Sequence, residues 1–245
     1  MQAKDRIIVA LDVDSCEKAE SLVEELKDYV GLFKVGLELA TSVGALRAVE
    51  LVRSLGAKVF LDLKFKDIPN TIFGASRAAA LMDAAMFNIH VDGGAQMMRQ
   101  AKAGANSARG PDNRPLVLGV TVLTSLSKED LTQVGLNMIQ CQVVDVVVQR
   151  AVLAKECGLD GVVASPKEVA FIRAACGPEF KLVIPGIRPE WAQAQDQKRV
   201  MTPAEAIKAG ADYLVIGRPI TQPPAKIGSP VEAAKQIVKS IEQES

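Results

Sequence analysis

The feature that most constrains the fold is a regular alternation of short apolar runs with longer helical segments along the chain. Eight runs are rich in β-branched residues and apolar almost throughout. That pattern is typical of parallel strands, because both faces of a parallel sheet are covered. The predicted strands are residues 7–12, 32–36, 58–64, 86–91, 116–122, 161–165, 181–185 and 213–217.

Capping residues mark the helical segments between these strands. Ser15 is a favoured N-cap, and Gly56 and Gly158 are favoured helix stops. Proline favours the first turn of a helix and can open the later ones. The predicted helices begin after Ser15, cover 45–55, 70–82, 94–104 and a long crossover at 128–157, and begin again at Pro166, Pro203 and Pro230.

Eight strand–helix pairs in 245 residues predict an α/β protein, a (β/α)8 TIM barrel. We expect a single domain over residues 1–245, because no linker rich in Pro, Gly or Ser divides the chain. The competing fold is a doubly wound open sheet. It often carries a glycine-rich turn after its first strand, whereas this chain has Asp12-Val13-Asp14-Ser15 there.

Composition limits the partners. The chain has 29 basic and 29 acidic residues, so no electrostatic footprint for nucleic acid is present. No apolar run approaches the ~20 residues that span a bilayer, so no membrane partner is expected. Cysteines 16, 141, 157 and 176 lack metal-type spacing, and we expect reduced thiols in a cytoplasmic protein.

Ionisable side chains collect at the predicted C-terminal strand ends, where barrels carry their chemistry. Asp62 and Lys64 are two residues apart and therefore share one face of the third strand, and Asp67 begins the next turn. A structural ion pair is the plain alternative, since ion-pair networks also occur without catalysis. Polar residues at the other strand ends are Asp12, Lys34, His90, Asp92, Thr121, Thr124 and Ser125.

The last two strands end in residues suited to phosphate. Glycine lets the backbone N–H approach phosphate oxygens, and arginine offers two parallel hydrogen bonds. Gly217, Arg218 and Arg188 have this chemistry, although a surface arginine before a turn is the alternative for Arg218. The polar segment 186–202 is long for a strand–helix connection, which suggests a lid. We expect its Trp191 to pack at the loop base or to make a contact on closure.

His90 is the only histidine, and no Gly-x-Ser-x-Gly elbow accompanies it. We therefore predict a structural histidine at the barrel rim. Asp12, Asp62 and Asp67 could bind Mg²⁺, but the interleaved lysines already neutralise these carboxylates. No metal site is predicted.

The run Asp62-x-Lys64-x-x-Asp67-Ile68-Pro69-Asn70-Thr71 resembles the signature of the orotidine 5′-phosphate decarboxylase family. The shorter Asp-x-Lys-x-x-Asp core is also shared by related phosphosugar barrels. Further segments similar to that family are 9–12, 34–36, 88–91, 122–125, 185–188, 196–197 and 215–218.

The resemblance implies a homodimer that converts orotidine 5′-monophosphate to uridine 5′-monophosphate and CO₂ with no metal and no organic cofactor. By similarity, one subunit supplies Lys34, Asp62 and Lys64, and its partner supplies Asp67 and Thr71. The substrate-binding residues that it implies are Asp12 and Thr71 at the ribose, Thr124 or Ser125 at the pyrimidine, Lys34 and Pro185 in the pocket, and Arg188, Gln197, Gly217 and Arg218 at the phosphate.

Loss of CO₂ from C6 leaves an in-plane electron pair that the ring delocalises poorly. A preorganised cation next to C6 stabilises that charge, and Lys64 is the candidate both for this cation and for the proton donor. Asp62 and Asp67, bridged by Lys34, favour the ammonium form of Lys64. Asp62 also stands where it can crowd the departing carboxylate.

Three alternatives remain open from the sequence. A Mg²⁺-dependent phosphosugar lyase shares the short core but is disfavoured by Ile68-Pro69-Asn70-Thr71. A Schiff-base aldolase could use Lys34 or Lys64. A non-catalytic nucleotide-binding barrel is disfavoured by the intact charged array.

Overall fold

The computed structural model describes residues 1–192 and 201–243. Within them, eight strands form a closed parallel barrel in the order β1 to β8, and β8 pairs with β1. The strands are β1 (Ile7–Ala10), β2 (Leu32–Val35), β3 (Val59–Phe65), β4 (Met86–His90), β5 (Leu116–Val120), β6 (Gly161–Val163), β7 (Lys181–Ile184) and β8 (Tyr213–Ile216). The prediction of a (β/α)8 barrel is confirmed.

Helices surround the barrel and connect its strands. They are α1 (Cys16–Leu26), α2 (Leu37–Val43), α3 (Ala45–Ser54), α4 (Pro69–Leu81), α5 (Ala95–Asn113), α6 (Lys128–Gln133), α7 (Val143–Glu156), α8 (Val169–Cys176), α9 (Pro203–Lys208), α10 (Arg218–Thr221) and α11 (Pro230–Glu242). The predicted N-cap of α1 is present, because the Ser15 hydroxyl accepts a hydrogen bond from the Lys18 N–H.

Three predicted helical boundaries were wrong. The crossover at 128–157 is broken between α6 and α7, where Gly135 adopts a left-handed φ of 89° and the buried Met138 anchors the connecting loop. The helix predicted at 94–104 continues as α5, with a kink at Gly110. At Pro166, a short 3-10 turn precedes α8. The sequence prediction also missed α2, which begins after Gly36 without a side-chain cap.

Side chains alternate in direction along each strand, so every second one points into the barrel interior. Six buried side chains pack against one another in the barrel interior, namely those of Ile8, Leu32, Phe60, Met86, Leu118 and Val183. Side chains two residues further along a strand face the same interior, one layer nearer the C-terminal mouth. Lys34, Asp62 and Asn88 each lie two residues after an interior side chain, namely Leu32, Phe60 and Met86.

The regular ladder is interrupted where β3 reaches the mouth. Leu61 pairs with Phe87 and Phe65 pairs with Ile89, so three residues of β3 oppose one residue of β4. Lys64 lies inside this bulge with a φ of 53°, in the left-handed region that a residue with a Cβ rarely adopts. The bulge bends β3 and re-aims its side chains at the end of the barrel where barrel enzymes carry their active sites.

Within the residues that the structure describes, no helix combines the length and the apolar character needed to cross a membrane.

Candidate active site

A pocket opens at the C-terminal mouth of the barrel. Its apolar wall includes Phe60, Val120, Val163 and Val215, which project from the inside of the strands. The polar side chains that line it are those of Asp12, Lys34, Asp62, Lys64, Thr124, Arg188 and Arg218. Residues from β1, β2, β3, β5, β6, β7 and β8, or from the loops that follow them, therefore meet in one cavity, whereas the predicted strand-four residues His90 and Asp92 do not line it.

The centre of the pocket is a lysine–aspartate array formed by Lys34, Asp62 and Lys64. Lys64 Nζ lies 2.7 Å from Asp62 Oδ1, and Lys34 Nζ lies 3.5 Å from Asp62 Oδ2. Lys34 and Asp62 are buried, whereas the Lys64 side chain remains 29% exposed toward the cavity. One carboxylate thus lies between two ammonium groups, and the cation on the cavity side is accessible to a ligand.

Lys34 also contacts Asp12, and Gly36 makes this contact possible. Lys34 Nζ donates a 3.0 Å hydrogen bond to Asp12 Oδ1. A Cβ on Gly36 would lie 2.5 Å from Lys34 Nζ, so any side chain at position 36 would displace the ammonium group. The Asp12 side chain itself is 58% exposed and can reach a ligand.

Asn88 of β4 holds the other side of the array. Its Nδ2 donates to Asp62 Oδ1 at 2.6 Å, and its Oδ1 accepts from the Lys64 backbone N–H at 2.8 Å. Asn88 is fully buried and lies behind the array. It was not among the predicted site residues, although its place two residues after the interior-facing Met86 is a signal that could have found it.

The loop after β5 separates the two predicted pyrimidine contacts. Thr124 lines the pocket, whereas Ser125 is exposed and is not part of the pocket wall. Arg150 of α7 fixes the start of this loop by donating to the Thr121 carbonyl at 2.5 Å. Pro185 lines the pocket where β7 ends.

Three of the four predicted phosphate residues come together where β7 and β8 end. Arg188, Gly217 and Arg218 line the cavity, with Arg188 buried and Arg218 exposed. Arg188 after β7 and Met201 before α9 lie side by side, because the Arg188 N–H donates to the Met201 carbonyl at 3.0 Å. Gln197 and its neighbour Asp196, also predicted near the phosphate, lie outside the described residues.

Besides Ser125, two further predicted site residues do not line the pocket of their own chain. Asp67 and Thr71 are exposed on the turn after β3 and on the first turn of α4. The Asp67 carboxylate accepts a 2.6 Å hydrogen bond from the Ile68 N–H, which fixes the turn.

The remaining predictions concern His90, Trp191 and metals. Burial lowers the pKa of His90; Asp92 opposes this effect, and Lys66, Lys64 and Arg150 add to it. His90 is not part of the pocket wall. Trp191 is partly buried against the hydrophobic core, in a second cavity shared with Arg188 and Arg218. Among residues 1–192 and 201–243, no group of three His, Cys, Asp or Glu side chains is placed to hold a metal ion.

Fold and pocket together define a (β/α)8-barrel enzyme with its ionic groups at the C-terminal mouth. Residues 5–237 match the model of the Orotidine 5'-phosphate decarboxylase / HUMPS family, and the chain belongs to that family. The resemblance stated from the signature at residues 62–71 is confirmed.

Similar proteins match along nearly the whole chain. Orotidine 5'-phosphate decarboxylase of Syntrophomonas wolfei is 51% identical over 99% of this chain and 100% of its own. The protein of the same name from Moorella thermoacetica is 51% identical over 99% of this chain and 94% of its own. A crystal structure of orotidine 5'-phosphate decarboxylase from Lactobacillus acidophilus is 34% identical, with a TM-score of 0.81, over 96% of this chain and 98% of that one.

Proposed function

We propose that this chain converts orotidine 5′-monophosphate to uridine 5′-monophosphate and CO₂. The observation that carries the proposal is the placement of the lysine–aspartate array on one wall of the pocket and of Arg188 and Arg218 on the other. A nucleotide monophosphate has an anionic phosphate at one end and, in this substrate, an anionic carboxylate at the other. The curated relatives at about 50% identity carry the name of this activity.

In the proposed reaction, the bond between C6 and the carboxylate breaks, CO₂ leaves, and the electron pair stays on C6. Lys64 Nζ stabilises that pair and then donates a proton to C6, forming the new C–H bond. Water returns a proton to the amine. Asp62, 2.7 Å from Lys64 Nζ, holds the ammonium group in place before the reaction begins.

Groups that are remote from C6 are proposed to orient the substrate. Arg188, Gly217 and Arg218 are proposed to hold the phosphate, Asp12 the ribose and Thr124 the pyrimidine edge, with Ser125 and Pro185 completing the loop and wall that border them. The phosphate contacts lie across the cavity from Lys64. Binding energy gained there can therefore be expressed as rate at C6, by holding the ring against the ammonium group. Gln197 is proposed as a further phosphate contact from the family resemblance.

We propose that no metal or organic cofactor takes part. The support is that the carboxylates of Asp12 and Asp62 already pair with Lys34 and Lys64, which occupy the positions a divalent cation would need. The test is to follow the loss of substrate absorbance with and without a chelator. Equal rates support the proposal. Activity lost with EDTA and restored by Mg²⁺ would favour the phosphosugar-lyase alternative, and borohydride trapping with a sugar phosphate would reveal a Schiff-base aldolase.

The proposed assembly is a homodimer in which Asp67 and Thr71 enter the partner's pocket. Both residues are exposed and outside the pocket of their own chain. Exposed apolar side chains follow three strands on the same rim: Leu37 after β2, Ile68 after β3 and Leu123 after β5 are 55%, 67% and 37% exposed. Burial of such side chains against a second copy favours association.

A hybrid dimer tests the shared pocket. Lys64→Ala and Asp67→Asn are each expected to be inactive alone. After subunit exchange, a mixed dimer contains one pocket with native Lys64 and native Asp67, so activity should return. Absence of recovery, with exchange verified by a mass-tagged subunit, would contradict a pocket built across the interface.

We further propose that residues 1–245 act as one domain and that the protein works in the cytoplasm. All four cysteines are free thiols, as a reducing compartment maintains them.

A further inference from the structure

We propose that Asn88 is a positioning residue that fixes the backbone of Lys64 and the carboxylate of Asp62, and thereby sets the geometry of the reaction site. The kinetic consequence rests on the proposed function. The structural basis does not, because it follows from how β3 and β4 meet.

Both ends of the Asn88 amide are used, and each needs a different kind of partner. The NH₂ group donates to Asp62 Oδ1 at 2.6 Å, and the carbonyl oxygen accepts from the Lys64 N–H at 2.8 Å. A carboxylate could make only the second bond, and an apolar side chain could make neither. Asn88 is fully buried, so water has no access to replace a lost bond.

The position of Asn88 explains why a side chain is needed there. β3 has three residues between Leu61 and Phe65, whereas β4 has only Asn88 between Phe87 and Ile89. The backbone ladder is therefore interrupted, and the Asn88 side chain satisfies the Lys64 N–H that the bulge leaves without a strand partner. This bond also stabilises the left-handed φ of 53° at Lys64, which is otherwise unfavourable for a residue with a Cβ.

Asn88 affects the Lys64 ammonium group through Asp62. Its Oδ1 is shared between Asn88 Nδ2 and Lys64 Nζ, at 2.6 and 2.7 Å. If Asn88 is removed, the carboxylate can rotate and the Lys64 backbone can relax, so the ammonium group loses its fixed position. Small misplacements of a reacting group are costly in rate. Asn88 does not line the pocket, so the phosphate and ribose contacts stay in place.

The test compares Asn88→Ala, Asn88→Asp and the wild type in kcat and KM for orotidine 5′-monophosphate. We expect kcat to fall about 10- to 100-fold in Asn88→Ala, the effect of one lost hydrogen bond to a charged group, with KM little changed. Asn88→Asp keeps the acceptor for Lys64 but places a second carboxylate against Asp62, so its kcat should fall at least as far. Ile89→Ala is the matched control, because Ile89 is equally buried but belongs to the cluster packed against the helices. It should lose stability and keep its kcat.

Wild-type kcat in Asn88→Ala, or an equal loss of kcat in Ile89→Ala, would overturn the proposal. If Asn88→Ala fails to fold, Asn88→Ser retains a small hydroxyl, and an unchanged kcat there would overturn it as well. Hydrogen exchange at the Lys64 amide needs no substrate and separates this inference from the proposed function. Faster exchange in the Asn88 variants supports the positioning role even if the substrate is a different one, and unchanged exchange contradicts it.

Discussion

Both ends of the barrel hold a carboxylate among cations, but the two carboxylates differ in how completely they are hydrogen-bonded. At the N-terminal end, Asp160 accepts two hydrogen bonds from Arg114, at 2.7 and 2.8 Å, one from Lys102 at 2.6 Å and one from the Val117 N–H at 2.8 Å. These four hydrogen bonds occupy all the lone pairs of the carboxylate. We call Asp160 and its donors Arg114, Lys102 and Val117 the floor network. Nothing remains to bind a ligand.

At the C-terminal mouth, Asp62 is less completely satisfied. Its Oδ1 accepts from Lys64 and Asn88, but among the described residues its Oδ2 has only Lys34 at 3.5 Å, longer than a good hydrogen bond. The cations also differ in kind. Arginine keeps its charge and a rigid fork, whereas lysine is a compact charge that can give up a proton. The floor network is built to hold strands together, and the mouth is built to meet a reacting group.

The largest expected effect comes from removing the lysine that faces the cavity. Lys64→Ala deletes both the cation and the proton donor, so kcat should fall roughly 10⁴-fold or more. The unfolding midpoint should stay near that of the wild type. Lys102→Ala removes a lysine of the floor network and serves as the control, with kcat retained and stability reduced. Normal turnover in Lys64→Ala would show that the lysine at the mouth is no more important for the reaction than the lysine of the floor network.

The next effect is on stability. Asp160→Ala leaves Arg114 and Lys102 partly buried without their carboxylate, and should lower the free energy of unfolding by about 1–3 kcal/mol. Turnover per folded molecule should be unchanged, because Asp160 is at the opposite end from the pocket. Urea unfolding and kcat measured on the same preparation check this. A loss of kcat at full folding would show that the two ends are coupled.

The smallest effect is a dependence on pH. Burial alone would raise the pKa of Asp160, but hydrogen bonds from Arg114, Lys102 and Val117 outweigh burial and hold the pKa below its ordinary value of 3.8. The ionised carboxylate therefore contributes stability above that pH, and the contribution is lost as the pH falls through the lower folded pKa. The stability difference between wild type and Asp160→Asn should be constant near neutral pH and shrink below about pH 4. A constant difference down to about pH 2 would contradict this origin.

The barrel was predictable because its strongest signal is local. Each strand is a short apolar run, and all eight were found within a few residues of their structural limits. What was missed lacks a local signal. The helix α2 begins after Gly36 without a side-chain cap, and the break between α6 and α7 depends on a left-handed Gly135 and on Met138 packing into the core.

The site was predictable where its residues are ionic and end a strand, as with Lys34 and Asp62. Asn88 was missed because it lies inside the apolar run 86–91, where one amide side chain does not interrupt the pattern that predicts a strand. Its partners lie on another strand, and the irregular pairing that brings them together is a property of two strands rather than one. Gly36 was missed as a site residue because it has no side chain to recognise; its role is to leave room for the Lys34 ammonium group.

The backbone of Lys64 has a consequence for evolution and engineering. A glycine at position 64 would adopt the φ of 53° without the steric cost that a side chain carries, so a selection for thermal resistance alone has no reason to retain the lysine. That change would delete the ammonium group from the pocket. Sequence libraries of this protein sorted only for robustness should therefore accumulate inactive variants at this codon, and stabilising campaigns should hold it fixed.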